Sequence, residues 1–452
     1  MLRRVCVIDI PGLTHDLLQE IPETSAVGHW LSHQQILGLT PSFPAVTCSV
    51  QATLTTGVDP EKHGIIANGL PTFLSPDDQA LVDSSNFADY RRQISFWEQS
   101  NQFLDVPRFW QDPTGKSRWK TALLFFQNCM PGFAGTLRPA ADIVLTPKPD
   151  HGPDGKLVNL CWSHPADLVP RLFGELGPFP LMNYWGPMAG IPSSQWIARA
   201  ASIVWRQHNP QLQWVYIPHL DYDLQRFGPH SPQAKSAVRD AANAIEPLVA
   251  EVLGSRGQIV LLSEYAMHDV NAFVQPNVIL EQNGLLMTRQ TPDGRLVDFD
   301  QSSAFAMVDH QITHVYVKRP DQIETVAKTL HTPNVHAILR RSVAGIRHRR
   351  AGDLILLAEP GAWFDYRWWS QSADAPALAK TVDIHRKPGY DPTELFWDRS
   401  TNGISQNPAL IKGSHGLVSP AQAILIGDFP EPGDPVAAAE IAAILSTMLD
   451  TQ

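Results

Sequence analysis

The chain has few cysteines and no long apolar run. Its four cysteines, Cys6, Cys48, Cys129 and Cys161, lack CxxC spacing, so we expect neither a disulfide framework nor a structural zinc site. The N-terminal sequence MLRRVCVIDI contains an apolar run of only about six residues, which is too short for a signal peptide or a membrane span. These absences predict a cytoplasmic protein that makes no membrane contact.

Basic clusters are also missing. The formal net charge is −10, and no block of lysines and arginines is present. Because nucleic-acid backbones require clustered positive charge, we expect no nucleic-acid polymer as a partner. A content of 43% hydrophobic and 18% charged residues is typical of a globular protein. A chain of 452 residues is long enough for one large α/β core with insertions or for several domains.

Buried strands alternate with helical patterns along much of the chain. Four short apolar runs, each followed by polar residues, are typical of strands in a parallel sheet: Val5–Ile10, Trp119–Phe126, Trp214–Pro218 and Gln258–Ser263. Helical patterns lie between them, and the clearest is Ser236–Leu253. This alternation predicts an α/β fold with a mostly parallel central sheet and helices on both faces.

The pattern changes between about residues 291 and 399, where short strands, one helix and crowded aromatic residues replace the regular alternation. We expect a smaller α+β cap insertion at residues 291–399 and a core formed by residues 1–290 and 400–452. Residues 70–118 show little regular pattern apart from a helix expected around Ile94–Gln99. The aromatic stretches Phe87–Trp97 and Trp363–Trp369 favour core packing over stacking on a nucleotide base.

A small hydroxyl residue, Thr47, stands where a helix could begin, within the stretch Phe43–Asn68. Considered alone, Thr47 is most simply an ordinary N-cap of a core helix. A helix N-terminus also presents free N–H groups and the positive end of the helix dipole, which suit an anion such as phosphate. The choice between the two depends on which residues gather around Thr47.

Carboxylate and imidazole side chains follow several of the predicted strands. Asp9 ends the first strand, HLDYDLQRFGP (219–229) and SEYAMH (263–268) follow two others, and KGSHG (412–416) comes later. Each residue alone has an ordinary explanation as a turn cap, a solvated loop residue or a surface histidine. Together, at the strand ends of one sheet, they predict a site for two divalent ions that could activate Thr47 for an in-line phosphoryl displacement.

The order of these residues resembles the nucleotide pyrophosphatase/phosphodiesterase branch of the alkaline phosphatase superfamily, which includes phosphonoacetate hydrolase. The most specific part is a strand-end aspartate, a threonine, a TTG and an HGI, here Asp9, Thr47, Thr55-Thr56-Gly57 and His63-Gly64-Ile65. The resemblance covers most of the chain. It implies an alkaline-phosphatase-like fold, a two-metal site and a covalent phospho-threonine intermediate.

Five positions match functional residues of that family. The resemblance implies that Asp9 and Asp221 bind metal, that Thr47 is the nucleophile, that Asn68 binds phosphoryl oxygens, and that His415 is a late metal-binding histidine.

Two motifs depart from the family pattern. Gln225 replaces a histidine, and Glu264-Tyr265 replaces an Asp-His pair. Each implied zinc site thereby loses an imidazole, and the implied metal ligands become Asp9, Thr47, Asp221, Gln225, Glu264, Tyr265 and His415. Zinc follows from the resemblance, whereas an oxygen-rich ligand set favours Mn²⁺, Mg²⁺ or Fe³⁺.

Other outcomes are a weak or lost metal site and substitution by nearby side chains. The candidate substitutes are His219, Asp223, His230, His268 and His385. His385 lies in a polar run with Arg386 and Asp391, for which a loop that docks the cap is the simpler interpretation.

These inferences predict a metal-dependent phosphohydrolase that acts on a small phosphorylated substrate, either a phosphodiester or a pyrophosphate, through Thr47. Two alternatives remain. The same fold could serve phosphonate hydrolysis or phosphoryl or sulfuryl transfer, or the protein could be a pseudoenzyme that binds a ligand without hydrolysing it. The sequence sets neither the substrate nor the oligomeric state.

Overall fold

The computed structural model describes residues 3–71, 94–132, 139–151, 157–418, 423–430 and 433–450. In this part of the chain, nine strands form the central sheet, in the order Val436–Ala437, Gln35–Thr40, Ala423–Gly427, Gln258–Leu262, Val5–Asp9, Leu212–Tyr216, Thr121–Leu124, Ile143–His151 and Leu157–His164. The five strands from Gln258–Leu262 to Ile143–His151 run parallel. Strands Ala423–Gly427 and Leu157–His164 are antiparallel to these neighbours. The sheet is therefore mostly parallel, which confirms the prediction.

The middle of this sheet is buried on both faces. Every residue of Val5–Asp9 and Leu212–Tyr216 is buried, which explains why their sequences are almost continuously apolar instead of alternating. Asp9 pairs with Tyr216 and Leu262, the last residues of the two flanking strands. The three strands thus end at the same level, and the side chains just beyond them share one edge of the sheet.

Two groups of helices flank the sheet, as predicted. Helix Thr47–Thr56 packs against the C-terminal helix Ile441–Asp450, while Pro232–Gly254 packs against Ile191–His208 and His219–Phe227. The shorter α-helices of the core are His15–Leu18, Ala26–Leu31, Pro60–His63 and Leu168–Leu176. In the described ranges, no helix has the length and apolar character needed to cross a bilayer.

A smaller antiparallel sheet has four strands, in the order Ala304–Asp309, Ile312–Val317, Leu354–Ala358 and Val335–Arg340. These strands and helix Ile323–Leu330 fall within the predicted cap, residues 291–399. Helix Pro276–Gln282 precedes that range but packs against both Ala304–Asp309 and Ile323–Leu330. The boundary at residue 290 stays a prediction.

The remaining strands form short pairs. They are Gly69–Pro71 with Ile94–Phe96, His268–Asp269 with Gly413–Ser414, Ala272–Val274 with Ala362–Phe364, Thr288–Thr291 with Gly294–Val297, and Trp397–Asp398 with Gly403–Ile404. The helix predicted around Ile94–Gln99 is therefore wrong. Ile94 and Phe96 are buried and Ser95 between them is half-buried, a two-residue period that suits a strand.

The two aromatic stretches can be located only in part. Residues 87–93 of Phe87–Trp97 lie outside the described residues. In Trp363–Trp369, the tryptophans Trp363, Trp368 and Trp369 are all buried. This second stretch contributes to the hydrophobic interior.

Candidate active site

Helix Thr47–Thr56 joins the two hydrophobic cores of the protein. Val50 and Leu54 pack into the core around the central sheet, whereas Cys48 and Ala52 pack into the core around the smaller sheet. All ten residues of the helix are buried. A helix enclosed on every side holds its first residue in a fixed position relative to both sheets.

Thr47 is the first residue of this helix and not its cap. Val46 occupies the N-cap position, and its apolar side chain accepts no hydrogen bond. The Thr47 hydroxyl instead lies 3.1 Å from the hydroxyl of Tyr265, in a buried contact. The interpretation of Thr47 as an N-cap is wrong. The Thr47 hydroxyl contacts Tyr265 and, in the described part of the chain, accepts no hydrogen bond from the first N–H groups of the helix.

Asp9 and Glu264 bring two carboxyl groups to the edge of the sheet. Asp9 is the last residue of its strand, and Glu264 comes two residues after the neighbouring strand Gln258–Leu262. Both side chains are fully buried, and among the described residues no hydrogen bond of standard geometry reaches their four oxygens. The two carboxyl groups are close enough to affect each other's pKa. Burial raises the pKa of Asp9 to about 7. Burial and the neighbouring Asp9 charge raise the pKa of Glu264 well above its usual range. Such a pair needs a proton or a cation for compensation.

Asp221 and Gln225 lie one turn apart on helix His219–Phe227, just beyond the strand Leu212–Tyr216. Residues four positions apart share a helix face, and Gln225 Nε2 donates to Asp221 Oδ2 at 2.6 Å. The Tyr265 hydroxyl donates to the other oxygen, Oδ1, at 3.2 Å. Burial raises the pKa of Asp221 to about 7, although both hydrogen bonds oppose that shift. Asp221 is thus a buried acid with a donor on each oxygen.

The His415 ring stacks on the Tyr265 ring, with centroids 3.6 Å apart and planes 6° from parallel. His415 Nδ1 lies 2.8 Å from the carbonyl oxygen of Ala45, so Nδ1 carries the hydrogen and Nε2 the lone pair. Nε2 lies 4.0 Å from Asp221 Oδ1. Burial lowers the pKa of His415 well below its usual range. The ring is therefore neutral and positioned beside Asp221.

Asn68 connects the start of the Thr47 helix to the smaller sheet. Its Oδ1 accepts the Cys48 N–H at 2.9 Å. Its Nδ2 donates to Asp309 Oδ1 at 3.0 Å, and its backbone N–H donates to Asp309 Oδ2 at 2.7 Å. The amide is thereby held at the helix N-terminus, where a phosphoryl donor is expected. Its role as a donor to phosphoryl oxygens stays a prediction.

Replacing Asn68 with alanine is expected to lower kcat/KM for a phosphodiester by about 10²–10³-fold, the usual effect of losing one donor to a developing anion. Steady-state kinetics and thermal unfolding should be measured on the same preparation. Asn277→Ala is the matched control, because Asn277 is also buried and, in the described part of the chain, its side chain bonds only to backbone groups of Ala306 and Tyr366. Equal losses of kcat/KM in the folded fraction of both variants would contradict a role for Asn68 in the site.

Three residues that were not predicted complete the site. His310 Nδ1 lies 2.7 Å from Asp309 Oδ1, and the His310 ring lies between the rings of Tyr390 and His415. The Tyr390 hydroxyl donates to Gln225 Oε1 at 2.8 Å. Asp309 and His310 directly follow the apolar run AFAMV, the same signal that located Asp9. No local signal of this kind marks Tyr390.

The side chains predicted as substitute ligands have other surroundings. Asp223 pairs with Arg226, His230 with Asp269, His268 with Gln311 and His385 with the Phe96 carbonyl, at 3.1, 3.3, 2.7 and 3.1 Å respectively. His219 is buried, and its ring nitrogens have no hydrogen-bond partner in the described part of the chain. Arg386 contacts Asp383, and Asp391 pairs with Lys387. None of these contacts involves Asp221 or Tyr265.

The two halves of the site differ in how well they suit a metal ion. The four oxygens of Asp9 and Glu264, which accept no hydrogen bond of standard geometry from the described residues, offer lone pairs to a hard cation. Around Asp221, the Tyr265 hydroxyl and the Gln225 amide nitrogen present hydrogens instead. Within the described ranges, no group of three or more His, Cys, Asp or Glu side chains is arranged to hold a metal ion. The predicted two-metal ligand set stays a prediction.

Solved structures of low sequence identity share this fold. Murine ectonucleotide pyrophosphatase/phosphodiesterase 5 is 14% identical, with a TM-score of 0.58 over 100% of this chain and 96% of that chain. The same murine protein is known in an inactive threonine-to-alanine form in complex with AMP. Phosphonoacetate hydrolase from Sinorhizobium meliloti 1021, in complex with phosphonoformate, is 13% identical, with a TM-score of 0.61 over 99% of this chain and 96% of that chain. No curated protein matches the chain.

A family model provides the assignment. The family described as type I phosphodiesterase / nucleotide pyrophosphatase matches residues 5–391, a range that contains every predicted site residue except His415. Together with the shared fold, this match confirms the predicted branch of the alkaline phosphatase superfamily. The chain therefore belongs to the type I phosphodiesterase / nucleotide pyrophosphatase family, a family of phosphoryl hydrolases.

Proposed function

We propose that the protein is a metal-dependent phosphohydrolase that cleaves small phosphodiesters or pyrophosphates through a covalent intermediate on Thr47. The observation that carries this proposal is the position of the Thr47 hydroxyl. It lies at the first residue of a fully buried helix and 3.1 Å from the Tyr265 hydroxyl, at the sheet edge that Asp9 and Glu264 share. A buried hydroxyl beside acidic groups, and not used to cap its helix, suits a nucleophile.

The reaction consists of two displacements. First, Thr47 Oγ1 bonds to phosphorus, the bond from phosphorus to the leaving oxygen breaks, and the hydroxyl proton departs with the product. Water then attacks the phospho-threonine, which releases the phosphoryl product and restores the Thr47 hydroxyl. Asn68 accepts the Cys48 N–H, and the Val50 N–H bonds to the Val46 carbonyl. The other N–H groups of the first turn of helix Thr47–Thr56 and the helix dipole stabilise the phosphoryl oxygens in both steps.

The charge of the site supports a bound cation. Asp9, Glu264 and Asp221 are buried acids, and a phosphorylated substrate adds further negative charge. Asp9 and Glu264 would hold the ion, because no hydrogen bond of standard geometry from the described residues occupies their oxygens. When bound, a divalent ion supplies positive charge for the phosphoryl group and lowers the pKa of an oxygen nucleophile. Zn²⁺, Mn²⁺, Mg²⁺ and iron are the candidate ions.

The substrate class is proposed partly from similar proteins. The murine structure contains AMP, and the hydrolase structure contains phosphonoformate. Both ligands are small anions that carry a phosphoryl or phosphonyl group. We propose a substrate of that size, and the net charge of −10 opposes binding of a nucleic-acid polymer.

Removing metal is expected to lower hydrolysis by at least about 100-fold, because the bound ion offsets the charge of the buried acids. Chelator-stripped protein should be reloaded separately with each candidate ion. It should then be assayed on a phosphodiester, a nucleoside triphosphate, a phosphomonoester, a phosphonate and an aryl sulfate. Asp9→Asn should lose the same activity, while Asp16→Asn, at an exposed helix position, should keep it.

Two results of this panel would overturn the proposal. Turnover confined to the phosphonate or the sulfate ester would show that the fold serves a different reaction. Binding of AMP without turnover of any substrate would identify a pseudoenzyme.

A further inference from the structure

We infer that the Asp221 half of the site is closed by side-chain hydrogen bonds, so that the protein binds one metal ion, at Asp9 and Glu264, where the family resemblance implies two. This inference rests on the proposed function, and it assigns Tyr265 as the residue that positions Thr47. The side chains that carry it are Thr47, Tyr265, Asp221, Gln225 and Tyr390, here called the Asp221 network.

Both carboxylate oxygens of Asp221 already accept hydrogen bonds. Oδ2 accepts from Gln225 Nε2 at 2.6 Å, and Oδ1 accepts from the Tyr265 hydroxyl at 3.2 Å. An amide nitrogen has no lone pair available for a metal. Gln225 and Tyr265, which stand where the family has histidines, thus donate hydrogens to Asp221. Imidazoles at these positions would instead offer lone pairs to an ion.

The orientation of the Gln225 amide is fixed by a second contact. The Tyr390 hydroxyl donates to Gln225 Oε1 at 2.8 Å, so Nε2 is the atom that faces Asp221. The reverse orientation would place Oε1 against a carboxylate oxygen, where two acceptors would repel each other. Gln225 therefore donates a hydrogen bond to Asp221, whereas a metal ligand would direct a lone pair at an ion.

Four aromatic rings fill the space beside the network. The ring centroids are 3.6 Å apart from Tyr265 to His415, 3.8 Å from His415 to His310, and 3.7 Å from His310 to Tyr390. At these separations the rings are in contact, and no ion fits between them. The outer rings of this stack carry the hydroxyls that bond to Asp221 and Gln225, so the stack holds both hydroxyls in place.

The Asp9 half of the site shows the opposite condition. Asp9 and Glu264 are fully buried beside each other. Among the described residues, no hydrogen bond of standard geometry reaches their carboxyl oxygens. The nearby Gln51 uses Oε1 to accept the Gln127 N–H at 2.8 Å. Its Nε2 is near enough to Glu264 to oppose the rise in the pKa of that carboxyl, but it makes no hydrogen bond of standard geometry in the described part. Of the two halves, this is the one whose carboxyl oxygens accept no hydrogen bond of standard geometry from the described part of the chain. We therefore place the ion in this half.

Tyr265 also sets the direction of the Thr47 hydroxyl. A tyrosine hydroxyl has one hydrogen, and Tyr265 gives that hydrogen to Asp221. The 3.1 Å contact with Thr47 is therefore filled by the hydrogen of Thr47. The lone pairs of Thr47 Oγ1 are then directed away from Tyr265 and are free for a phosphorus atom.

The number of ions bound per chain tests this inference independently of activity. Metal-free protein is saturated with Mn²⁺ or with Zn²⁺, dialysed, and analysed for metal by mass spectrometry. We expect one ion per chain, loss of that ion in Glu264→Gln, and retention of it in Asp221→Asn. Two ions per chain, no ion with either metal, or loss of the ion in Asp221→Asn would each overturn the inference.

Restoring the missing imidazoles provides a gain-of-binding test. The double variant Gln225→His/Tyr265→His is expected to bind a second ion, because it removes both donors to Asp221 and adds two lone pairs. A folded double variant that still binds one ion would contradict the inference. If this variant fails to fold, the ion counts of the unmodified protein and of Asp221→Asn decide the question.

A kinetic comparison tests the positioning role. Tyr265→Phe is expected to lower kcat by about 10–100-fold through misplacement of the Thr47 oxygen, with KM and the ion count unchanged. Tyr316→Phe, which removes a hydroxyl bonded to the Arg350 carbonyl, is the control and should keep kcat. An unchanged kcat in Tyr265→Phe would contradict the role. A different result would contradict the proposed function itself, namely full turnover by Thr47→Ala.

Discussion

Replacing Thr47 with alanine is expected to lower kcat for phosphodiester hydrolysis by about 10³-fold or more, because the variant has no atom that can bond to phosphorus. Helix N–H groups and a bound cation would remain in this variant. They can bind and polarise a substrate, but they cannot form the phospho-threonine. The measurement is kcat under saturating metal and substrate, with AMP binding as the test that the site is intact.

The same variant is expected to remain folded. Among the described residues, the Thr47 hydroxyl bonds only to Tyr265, and Tyr265 keeps its own bond to Asp221. Loss of a single buried hydroxyl contact costs about 1–2 kcal/mol. Thr56→Ala is the matched control, since Thr56 ends the same helix and bonds to the Ala52 carbonyl at 2.7 Å. It should lose similar stability and keep its activity.

Thr47→Ser separates the hydroxyl from the methyl group. Serine keeps the nucleophilic oxygen, so this variant should retain activity within about 100-fold of the unmodified enzyme. Acid quenching during turnover, followed by peptide mass spectrometry, should locate the phosphoryl group at position 47 in both active forms. Full activity of Thr47→Ala, or a phosphoryl group on another residue, would refute the mechanism.

The position of the site could be predicted because it depends on local sequence patterns. A strand buried on both faces, such as Val5–Asp9, must be apolar along its length, so the first charged residue marks its end. Asp9, Asp221 and Glu264 were assigned to the sheet edge for this reason, and the structure places all three there. The fold and the superfamily, inferred from the same strands and the motifs around Thr47, are confirmed.

The contacts within the site could not be predicted, because they join residues far apart in the sequence. Thr47 and Tyr265 are 218 positions apart, and Gln225 and Tyr390 are 165 apart. The resemblance to the family implies a histidine at the position of Gln225. The orientation of the Gln225 amide is shown only by the hydrogen bond that it accepts from Tyr390. The prediction of a helix around Ile94–Gln99 is wrong for a related reason, since the strand Ile94–Phe96 forms by pairing with Gly69–Pro71, a contact that depends on tertiary structure.

Replacing Lys387 with methionine is expected to destabilise the protein by about 3–5 kcal/mol, the typical cost of leaving buried charges without a partner. The Lys387 side chain is 1% exposed, and its Nζ lies 2.7 Å from Asp391 Oδ2 and 2.6 Å from Glu394 Oε1. Burial alone would lower the pKa of Lys387, but the two carboxylates raise it, so the ammonium group stays charged. Methionine has a similar volume, so the substitution removes the positive charge and keeps most of the packing.

The free energy of unfolding should be measured by urea denaturation, with tryptophan fluorescence as the signal. Lys235→Met is the control, because Lys235 pairs with Glu20 at 2.7 Å but its side chain is 50% exposed. A solvated pair of this kind contributes at most about 1 kcal/mol. Similar losses in the two variants would contradict the claim that burial makes the Lys387 pairs important.

A double variant identifies the cause of the expected loss. Lys387→Met/Glu394→Gln removes one positive and one negative charge together, so it should be more stable than Lys387→Met alone. Asp391 would keep its hydrogen bonds from the Thr393 N–H and hydroxyl. If the double variant is no more stable than Lys387→Met, the unpaired Glu394 carboxylate does not cause the loss of stability, and the loss comes instead from the packing of the lysine side chain.

The same buried charges are close in sequence to the Asp221 network. Tyr390, which donates to Gln225, lies between Lys387 and Asp391 in the sequence. A loss of kcat in Lys387→Met that accompanies the loss of stability would show that these buried charges support the Asp221 network.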